Sequence, residues 1–340
     1  MRTRSEPSTG GGVDGSRGVA AESPHEPPER HRPPETGLSF GRVVTGERHK
    51  LAVVTRFELA EALRSRLVVV VLCLYGLGAA FGAFAFVKML EAAERSVRAS
   101  LDQTMSAHDL PDAGVQHDAI VQVLSHIIQD KELLADLVAV DPLALFYGFM
   151  ALELVAPFVL LTSAGAPARD LRRGATRFVL TRCDRLTWAL GKTLAHAALL
   201  TLGLVVSALA TAAVGLWLGR FDLASVLWLG RAVFRALVYG LAYLGIFTGL
   251  SLALRAPGPA VVGCVGALFG LWFVHGLTRW SWLGRELPGV RAAAWLFPGE
   301  YQELLWSPSW LVSGAAALAL LAIGGLAFAG GHWLFRRADA

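Results

Sequence analysis

Six long apolar runs, separated by polar segments, dominate the hydropathy pattern of this chain. They cover residues 67–89, 142–166, 188–218, 223–252, 258–277 and 309–335. Each run is near or above the ~20 residues that an α-helix needs to cross the hydrocarbon core of a bilayer. The third and fourth runs are long enough to tilt or to extend past the bilayer. The pattern predicts an all-α integral membrane protein with six transmembrane helices.

Residues with helix-starting or helix-breaking chemistry lie at the ends of these runs. Asp141 followed by Pro142 is typical of a helix start, with a capping carboxylate and a proline at the first helical position. Asp222 and Ser307 precede the fourth and sixth runs in a similar way. The Pro-Gly-Pro sequence at 257–259 is expected to separate the fourth span from the fifth.

The chain before the first run divides into two parts. Residues 1–37 are rich in Pro, Gly, Glu, Arg and Ser and lack apolar periodicity, so we expect a disordered cytoplasmic tail. Residues 50–66 are expected to form an interfacial helix on the membrane surface, with a cytoplasmic extension of the first span as the alternative. That expectation rests on apolar side chains at helical spacing between basic ones: Val53, Phe57, Ala60, Leu63 and Leu67.

The charges of the loops set the expected orientation. The segment 90–140 holds more acidic than basic residues, whereas the segment 168–187 and the end of the chain, with Arg336 and Arg337, are basic. Lys and Arg resist translocation, so basic loops stay in the cytoplasm. We therefore expect both termini in the cytoplasm and the segment 90–140 outside.

Two outer segments carry further patterns. Apolar stripes on either side of Pro111 predict an extracytoplasmic helical hairpin over 90–140. Three histidines lie in this hairpin near aspartates: His108, His117 and His126. Their spacing matches no standard set of metal ligands, which favours solvated histidines over a metal site. The other segment, 278–308, is rich in Trp, a residue typical of the membrane interface.

Four ionisable residues lie inside the predicted spans: Glu153, His196, Arg231 and Arg235. Charges at membrane depth are costly and usually face a partner or a polar cavity. One interpretation is a polar patch on a translocation path. The other is an interhelical ion pair between Glu153 and either Arg235 or Arg231, with Arg231 alternatively extending to the outer headgroups.

Composition excludes several classes of function. A hydrophobic content of 54% and a mean hydropathy of +0.50 exclude an ordinary soluble domain. The net charge of +4 gives no signal for nucleic acid. Gly191-Lys192-Thr193 is not a nucleotide-binding loop, because position 186 is Leu where such a loop needs Gly. No loop gathers catalytic residues, and the three cysteines are scattered, so we expect neither an enzyme nor a cofactor or metal bound by this chain.

The segment 168–187 is a short, arginine-rich loop between two apolar runs. Its apolar residues have helical spacing, which predicts an amphipathic helix beneath the membrane. Such a helix is a suitable surface for a cytoplasmic partner. The residues expected to make that contact are Asp170, Leu171, Arg172, Arg173, Arg177, Phe178, Arg182 and Arg185.

This arrangement resembles the membrane subunits of ABC-2 type exporters. In that family an amphipathic N-terminal segment precedes six spans, and the loop between spans two and three carries an acid, a basic run and a Gly-Lys pair that opens span three. The matching positions here are Asp170, Arg172, Arg173, Gly174, Ala175, Thr176, Phe178, Val179, Leu180, Arg185, Gly191 and Lys192. The segment 297–301 is similar to the family's proline-containing outer segment, and the resemblance extends over residues 50–338.

The resemblance implies a six-span permease domain over 67–338 in the cytoplasmic (inner) membrane of a bacterium. Two such permease subunits, identical or different, would work on two cytoplasmic ATPase subunits that bind ATP and Mg²⁺. The segment 168–187 would then be the coupling helix seated in the ATPase. The alternative is a multi-span protein of another class, such as a secondary transporter or a sensor. A secondary transporter is expected to show internal repeats or broken helices, and no convincing repeat is evident.

Overall fold

The computed structural model describes residues 40–104, 141–174, 179–279, 295–307 and 309–337. Within these ranges the chain forms helices joined by turns, with no strand. Six helices are long and apolar enough to cross a membrane. The prediction of an all-helical chain with six membrane-length apolar helices is confirmed.

The helices follow one another with short connections where the chain is described. The six membrane-length helices are α2, α3, α5, α6, α7 and α9. A 3-10 turn, Pro298–Glu300, leads into α8. The bounds in chain order are α1 Phe40–Arg64, α2 Arg66–Thr104, α3 Pro142–Ser163, α4 Ala166–Arg173, α5 Arg185–Trp217, α6 Leu223–Leu254, α7 Pro257–Arg279, α8 Tyr301–Trp306 and α9 Trp310–Arg337.

Side-chain caps fix the starts of α3 and α6, as their sequences predict. The Asp141 carboxylate accepts a hydrogen bond from the Ala144 backbone N–H at 2.8 Å, and Pro142 occupies the first helical position. Asp222 and Ser225 cap α6 reciprocally, each side chain accepting from the backbone N–H of the other. These bonds satisfy amide groups that have no partner inside the helix.

The predicted break between the fourth and fifth spans also lies where expected. Helix α6 ends at Leu254, Arg255 adopts a left-handed backbone conformation with φ of 56°, and Pro257 begins α7. The left-handed residue is held from two sides. Its N–H donates to Ser251 O at 3.2 Å, and its guanidinium donates to Phe335 O at 2.8 Å near the end of α9.

Helix α6 is the centre of the bundle, packing against α3, α5 and α9. Helices α6 and α9 run parallel, and glycines bring their backbones together. A Cβ added at Gly245 would overlap Gly324 O, and one added at Gly331 would overlap Gly249 O. Small residues at such contacts are typical of membrane helices, where close backbone approach supplies the packing energy.

Helix α1 is longer than the predicted helix over 50–66, and Ser65 separates it from α2. The apolar stripe of the sequence faces away from the protein, with Val53 53% and Phe57 65% exposed. The opposite face, which includes Val54, packs against α5. An apolar stripe turned away from the protein suits a helix that touches lipid, and the interfacial location stays a prediction.

The predicted single helix over 168–187 is wrong. Helix α4 ends at Arg173, because Gly174 adopts a left-handed conformation with φ of 71° and closes the helix. A glycine in this conformation after a basic last turn is a common helix stop. Helix α5 then begins at Arg185, with the Asp184 carboxylate accepting from Thr187 N–H at 3.3 Å.

Several expectations fall on residues outside the described ranges. These include the tail 1–37 and the part of the outer hairpin beyond Thr104, where α2 ends. The three hairpin histidines lie there: His108, His117 and His126. Arg177 and Phe178 of the cytoplasmic loop lie in the undescribed segment 175–178.

Candidate functional site

A buried lysine joins three elements at the start of the third span. Lys192 of α5 is 2% exposed, and its Nζ lies 2.5 Å from Glu58 Oε2 of α1. The same ammonium forms an ion pair with the Asp170 carboxylate of α4. These three residues are called the Lys192 cluster below. One cation thus connects the N-terminal helix, the loop helix and a membrane span.

Glycine makes the close approach of α1 and α5 possible. A Cβ added at Gly191 would lie 2.5 Å from Val54 Cγ1, well inside van der Waals contact. Val54 and Glu58 are one helical turn apart on α1, so they face α5 together. The Gly191-Lys192 pair therefore has a structural role here. Gly191 allows α1 to pack closely against α5, and Lys192 binds the carboxylate of Glu58 on α1.

Two further side chains of α5 contact Lys192, one at its ammonium and one at its backbone carbonyl. Lys192 Nζ lies 5.6 Å from the centre of the Trp188 ring, a cation–π contact between consecutive turns. Lys192 O lies 2.8 Å from His196 Nδ1, within hydrogen-bond distance, which places His196 one turn after Lys192 on the same face of α5. His196 is itself buried.

Burial and charge act in opposite directions on Glu58. Desolvation raises the pKa of the Glu58 carboxyl, and the attraction and hydrogen bond of Lys192 lower it by less, so the net pKa is above the ordinary value of 4.5. A buried ion pair of this kind adds little net stability, but it fixes the arrangement because removing either partner leaves a buried charge.

An apolar cluster anchors the same loop to the other spans. Leu171 of α4 packs with Trp188 of α5, Leu252 of α6 and Phe335 of α9, together with Val179 and Leu180. Ala168 N–H of α4 also donates to Ser251 Oγ of α6 at 3.3 Å. The loop is therefore attached both to α1 and α5, through the Lys192 cluster, and to α6 and α9.

Six of the predicted contact residues lie in the described part of the loop, and they fall into three groups. Arg172, Arg173 and Arg182 are exposed and form a basic surface. Leu171 is partly buried in the apolar cluster and Arg185 lies 5.5 Å from the Phe335 ring, so both serve the protein's own packing. Asp170 binds Lys192, which is a structural use the loop pattern alone did not predict. Leu171 packs only partly into the cluster that includes Phe335, so its contact with a partner stays a prediction.

The intramembrane ion pair predicted for Glu153 is also wrong. Glu153 Oε1 accepts a hydrogen bond from Gln302 Nε2 at 3.0 Å, and no arginine forms an ion pair with it in the described part of the chain. Helix α8 is the reason, because its insertion beside α3 brings Gln302 to the carboxylate. His196 lies apart from this group, beside Lys192.

The two arginines of α6 stack on tryptophans instead. The guanidinium carbon of Arg231 lies 4.8 Å from the Trp228 ring centre, and that of Arg235 lies 5.0 Å from the Trp306 ring centre. Trp306 reaches this position because Gly148 of α3 leaves space for its ring. The predicted polar patch is thus divided between a carboxylate–amide pair and an arginine–tryptophan groove.

Glu58 is the residue of the site that sequence reasoning missed. It lies on the face of α1 opposite the conspicuous apolar stripe, among Val54 and Thr55, where a lone carboxylate is the unusual feature. In the sequence, Lys192 stands out only beside Gly191, in a nucleotide-loop pattern and in the family resemblance. The sequence does place an acid, Glu58, near β-branched residues on one segment and a base, Lys192, beside a glycine on another. Many other acids and bases of the chain have similar surroundings, so this pattern does not identify the pair.

No cluster of metal-ligating side chains occurs in the described residues. The three cysteines are free, with Cys73 exposed and Cys183 and Cys264 buried. Burial raises the pKa of the Cys183 thiol, which lowers its reactivity. Comparison of the sequence with models of protein families and with curated proteins gives no match in either case.

Proposed function

We propose that this chain is the membrane-spanning permease subunit of an ATP-driven exporter of the ABC-2 type. A separate cytoplasmic ATPase subunit would bind ATP and Mg²⁺ and perform the hydrolysis. The permease would work as a dimer with a second permease subunit, identical or different, in the bacterial cytoplasmic membrane. The chain itself would supply the pathway and the coupling surface, and no catalytic residue.

The Lys192 cluster is the observation that carries this proposal. A loop that transmits force must be stiffly attached to the helices that it moves. Lys192 connects the loop to α1 and α5, and the apolar cluster around Phe335 connects it to α6 and α9. A displacement of α4 would therefore act on four helices together, as a two-state transport cycle requires.

The exposed face of the loop is basic, which favours a partner with an acidic surface. Arg172, Arg173 and Arg182 project from a segment in which Leu171, Val179 and Leu180 pack against the protein's own apolar cluster. Recognition would then depend on carboxylates of the ATPase facing these guanidinium groups. Charge complementarity of this kind chiefly sets specificity and association rate, with bidentate pairs adding affinity.

The proposed orientation places α1, α4 and both termini in the cytoplasm. Single cysteines at His49 in α1 and at Ala99 in α2, both exposed positions, test it. We expect a membrane-impermeant maleimide to label Ala99→Cys in intact cells, whereas His49→Cys should react only after the cells are opened. The reverse labelling pattern would contradict the orientation.

Photo-crosslinking tests the proposed partner directly. A benzophenone amino acid at Arg173 should form an adduct in cells with a protein that binds ATP. The same group at Arg64, which is exposed beside the break between α1 and α2, is the matched control and should not form this adduct. Adducts with lipid alone at Arg173 would contradict an ATPase contact at the loop.

A further inference from the structure

A lateral cavity lies between α6 and α9, at the end of the bundle opposite to the Lys192 cluster. Its volume is about 640 Å³. Arg231, Arg235, Ser307 and Ser313 contribute polar groups to its lining, and Leu227 and Phe234 are among its apolar residues. Leu227 is 70% and Phe234 62% exposed, so the apolar lining continues onto the outer surface of the bundle. The cavity can therefore be entered from the side.

The two arginines give this cavity a strong positive charge. They lie one helical turn apart on α6, and neither has a carboxylate partner among the described residues. Each guanidinium instead lies against a tryptophan ring, at 4.8 Å for Arg231 and 5.0 Å for Arg235. Stacking on a ring leaves the N–H groups at the guanidinium edge available to oxygen atoms of a ligand.

The cavity lies near the amino ends of α6 and α9, beside several tryptophans. Trp310, Ser313 and Gly314 of its lining belong to the first turns of α9, whose amino end is a favourable place for an anion. Trp228 and Trp306 lie at the same level beside the arginines. Tryptophans at this position are typical of the boundary between hydrocarbon and headgroups.

We propose that this cavity binds an anionic phospholipid from the leaflet that contacts the amino ends of α6 and α9. The phosphate would accept hydrogen bonds from Arg231 and Arg235, with Ser313 and the first turn of α9 beside it. The acyl chains would lie along the exposed apolar surface of Phe234. This proposal goes beyond the proposed transport function and does not depend on it.

The test measures binding of phosphatidylglycerol and phosphatidylcholine to the purified chain in detergent, by native mass spectrometry. The wild type should bind phosphatidylglycerol about 30-fold more tightly than phosphatidylcholine, because two basic groups contact the anionic headgroup. The double variant Arg231→Gln/Arg235→Gln should lose this preference. Arg336→Gln/Arg337→Gln, which removes the same charge at the far end of α9, should keep it.

A second pair of variants separates the cavity from its charge. A Cβ at Gly314, in the cavity lining, or at Gly325, outside that lining on the same helix, meets nothing within 4 Å. Gly314→Phe should fill the cavity and reduce phosphatidylglycerol binding, whereas Gly325→Phe should not. Equal binding by both phenylalanine variants, or a retained lipid preference in the Arg231/Arg235 variant, would overturn the proposal.

The source of the phosphate is tested by competition. Glycerol 3-phosphate carries the headgroup phosphate without acyl chains, so it should not displace phosphatidylglycerol at equal concentration. Displacement under these conditions would show that the cavity takes a soluble anion and would contradict the lipid assignment.

Discussion

Lys192 and Glu58 are 134 positions apart in the chain, yet Lys192 Nζ donates a hydrogen bond to Glu58 Oε2 at 2.5 Å. This contact binds the N-terminal helix to the first turns of the third span. Asp170 approaches the same ammonium from the loop helix. The position of the loop helix α4 therefore depends on a helix that precedes all six membrane-length helices.

Removal of the shared cation should destabilise the protein strongly. Lys192→Met keeps most of the side-chain volume but leaves Glu58 and Asp170 without their cation. Breaking a buried ion pair in this way costs about 3–5 kcal/mol. We expect a loss of this size in the free energy of unfolding, measured in mixed detergent micelles.

The matched control is Lys88→Met, which breaks the pair of Lys88 with Glu91. The side chains of that pair are 49% and 32% exposed, so the change should cost less than about 1 kcal/mol. Adding Glu58→Gln to Lys192→Met should recover part of the loss. Equal effects of Lys192→Met and Lys88→Met would show that the Lys192 cluster contributes no more than a surface pair.

The Glu58 carboxyl should give the protein a specific dependence on pH. Its pKa in the folded state lies above the ordinary value of 4.5, because burial outweighs the attraction of Lys192. Its contribution to stability is therefore fully present below pH 4.5 and is lost as the pH rises through the folded-state pKa. Between pH ~4 and ~7.5 the unfolding midpoint of the wild type should fall relative to that of Glu58→Gln. Parallel profiles for the two proteins would contradict the raised pKa.

The close contact of α6 and α9 should be intolerant of a single methyl group. In Gly331→Ala the new Cβ would overlap Gly249 O, so the helices must separate. Overpacking of this kind costs about 1–3 kcal/mol. Gly325→Ala on the same helix, where a Cβ meets nothing within 4 Å, should be neutral or slightly stabilising. Thermal unfolding of both variants in detergent measures the difference.

The partner of Glu153 should be Gln302 and not an arginine. A double-mutant cycle with Glu153→Met, which removes the acceptor, and Gln302→Leu should show a coupling energy of about 1 kcal/mol, as for one hydrogen bond. The parallel cycle with Glu153→Gln and Arg235→Gln should show additive effects. The opposite result, coupling with Arg235 and additivity with Gln302, would restore the ion pair.

Local features of the sequence predicted much of this fold. Apolar runs of membrane length predict spans, and the starts of α3 and α6 follow from Asp141 and Asp222, because an N-cap bonds within three residues of itself. The end of α4 also has a local sequence signal, because a glycine such as Gly174 directly after Arg172 and Arg173 is a typical helix stop. Apolar periodicity continues past Gly174, so periodicity alone predicts a longer helix.

Contacts between distant segments could not be predicted in the same way. Pairing Glu58 with Lys192 requires knowing that α1 packs on α5. Gly191 permits this packing, but a single glycine in the sequence does not predict it. Gln302 reaches Glu153 only because the short helix α8 inserts beside α3. Depth along a span predicts that a charge needs a partner, and only the packing of the helices identifies that partner.

Charge reversal of the loop is the most direct test of the proposed coupling function. In Arg172→Glu/Arg173→Glu, two exposed guanidinium groups become carboxylates that would face the carboxylates of an ATPase. Like charges at an interface cost several kcal/mol, so the affinity for the ATPase should fall by roughly 100-fold or more. Transport-linked ATP hydrolysis should fall with it, while the unfolding midpoint stays unchanged.

Arg64→Glu/Arg66→Glu changes the charge equally at the break between α1 and α2 and should leave ATPase affinity near that of the wild type. The measurement is the dissociation constant between purified permease and ATPase for the wild type and both double variants. The account predicts weak binding for the loop variant alone. Unchanged binding by Arg172→Glu/Arg173→Glu would contradict the assignment of this loop as the coupling surface.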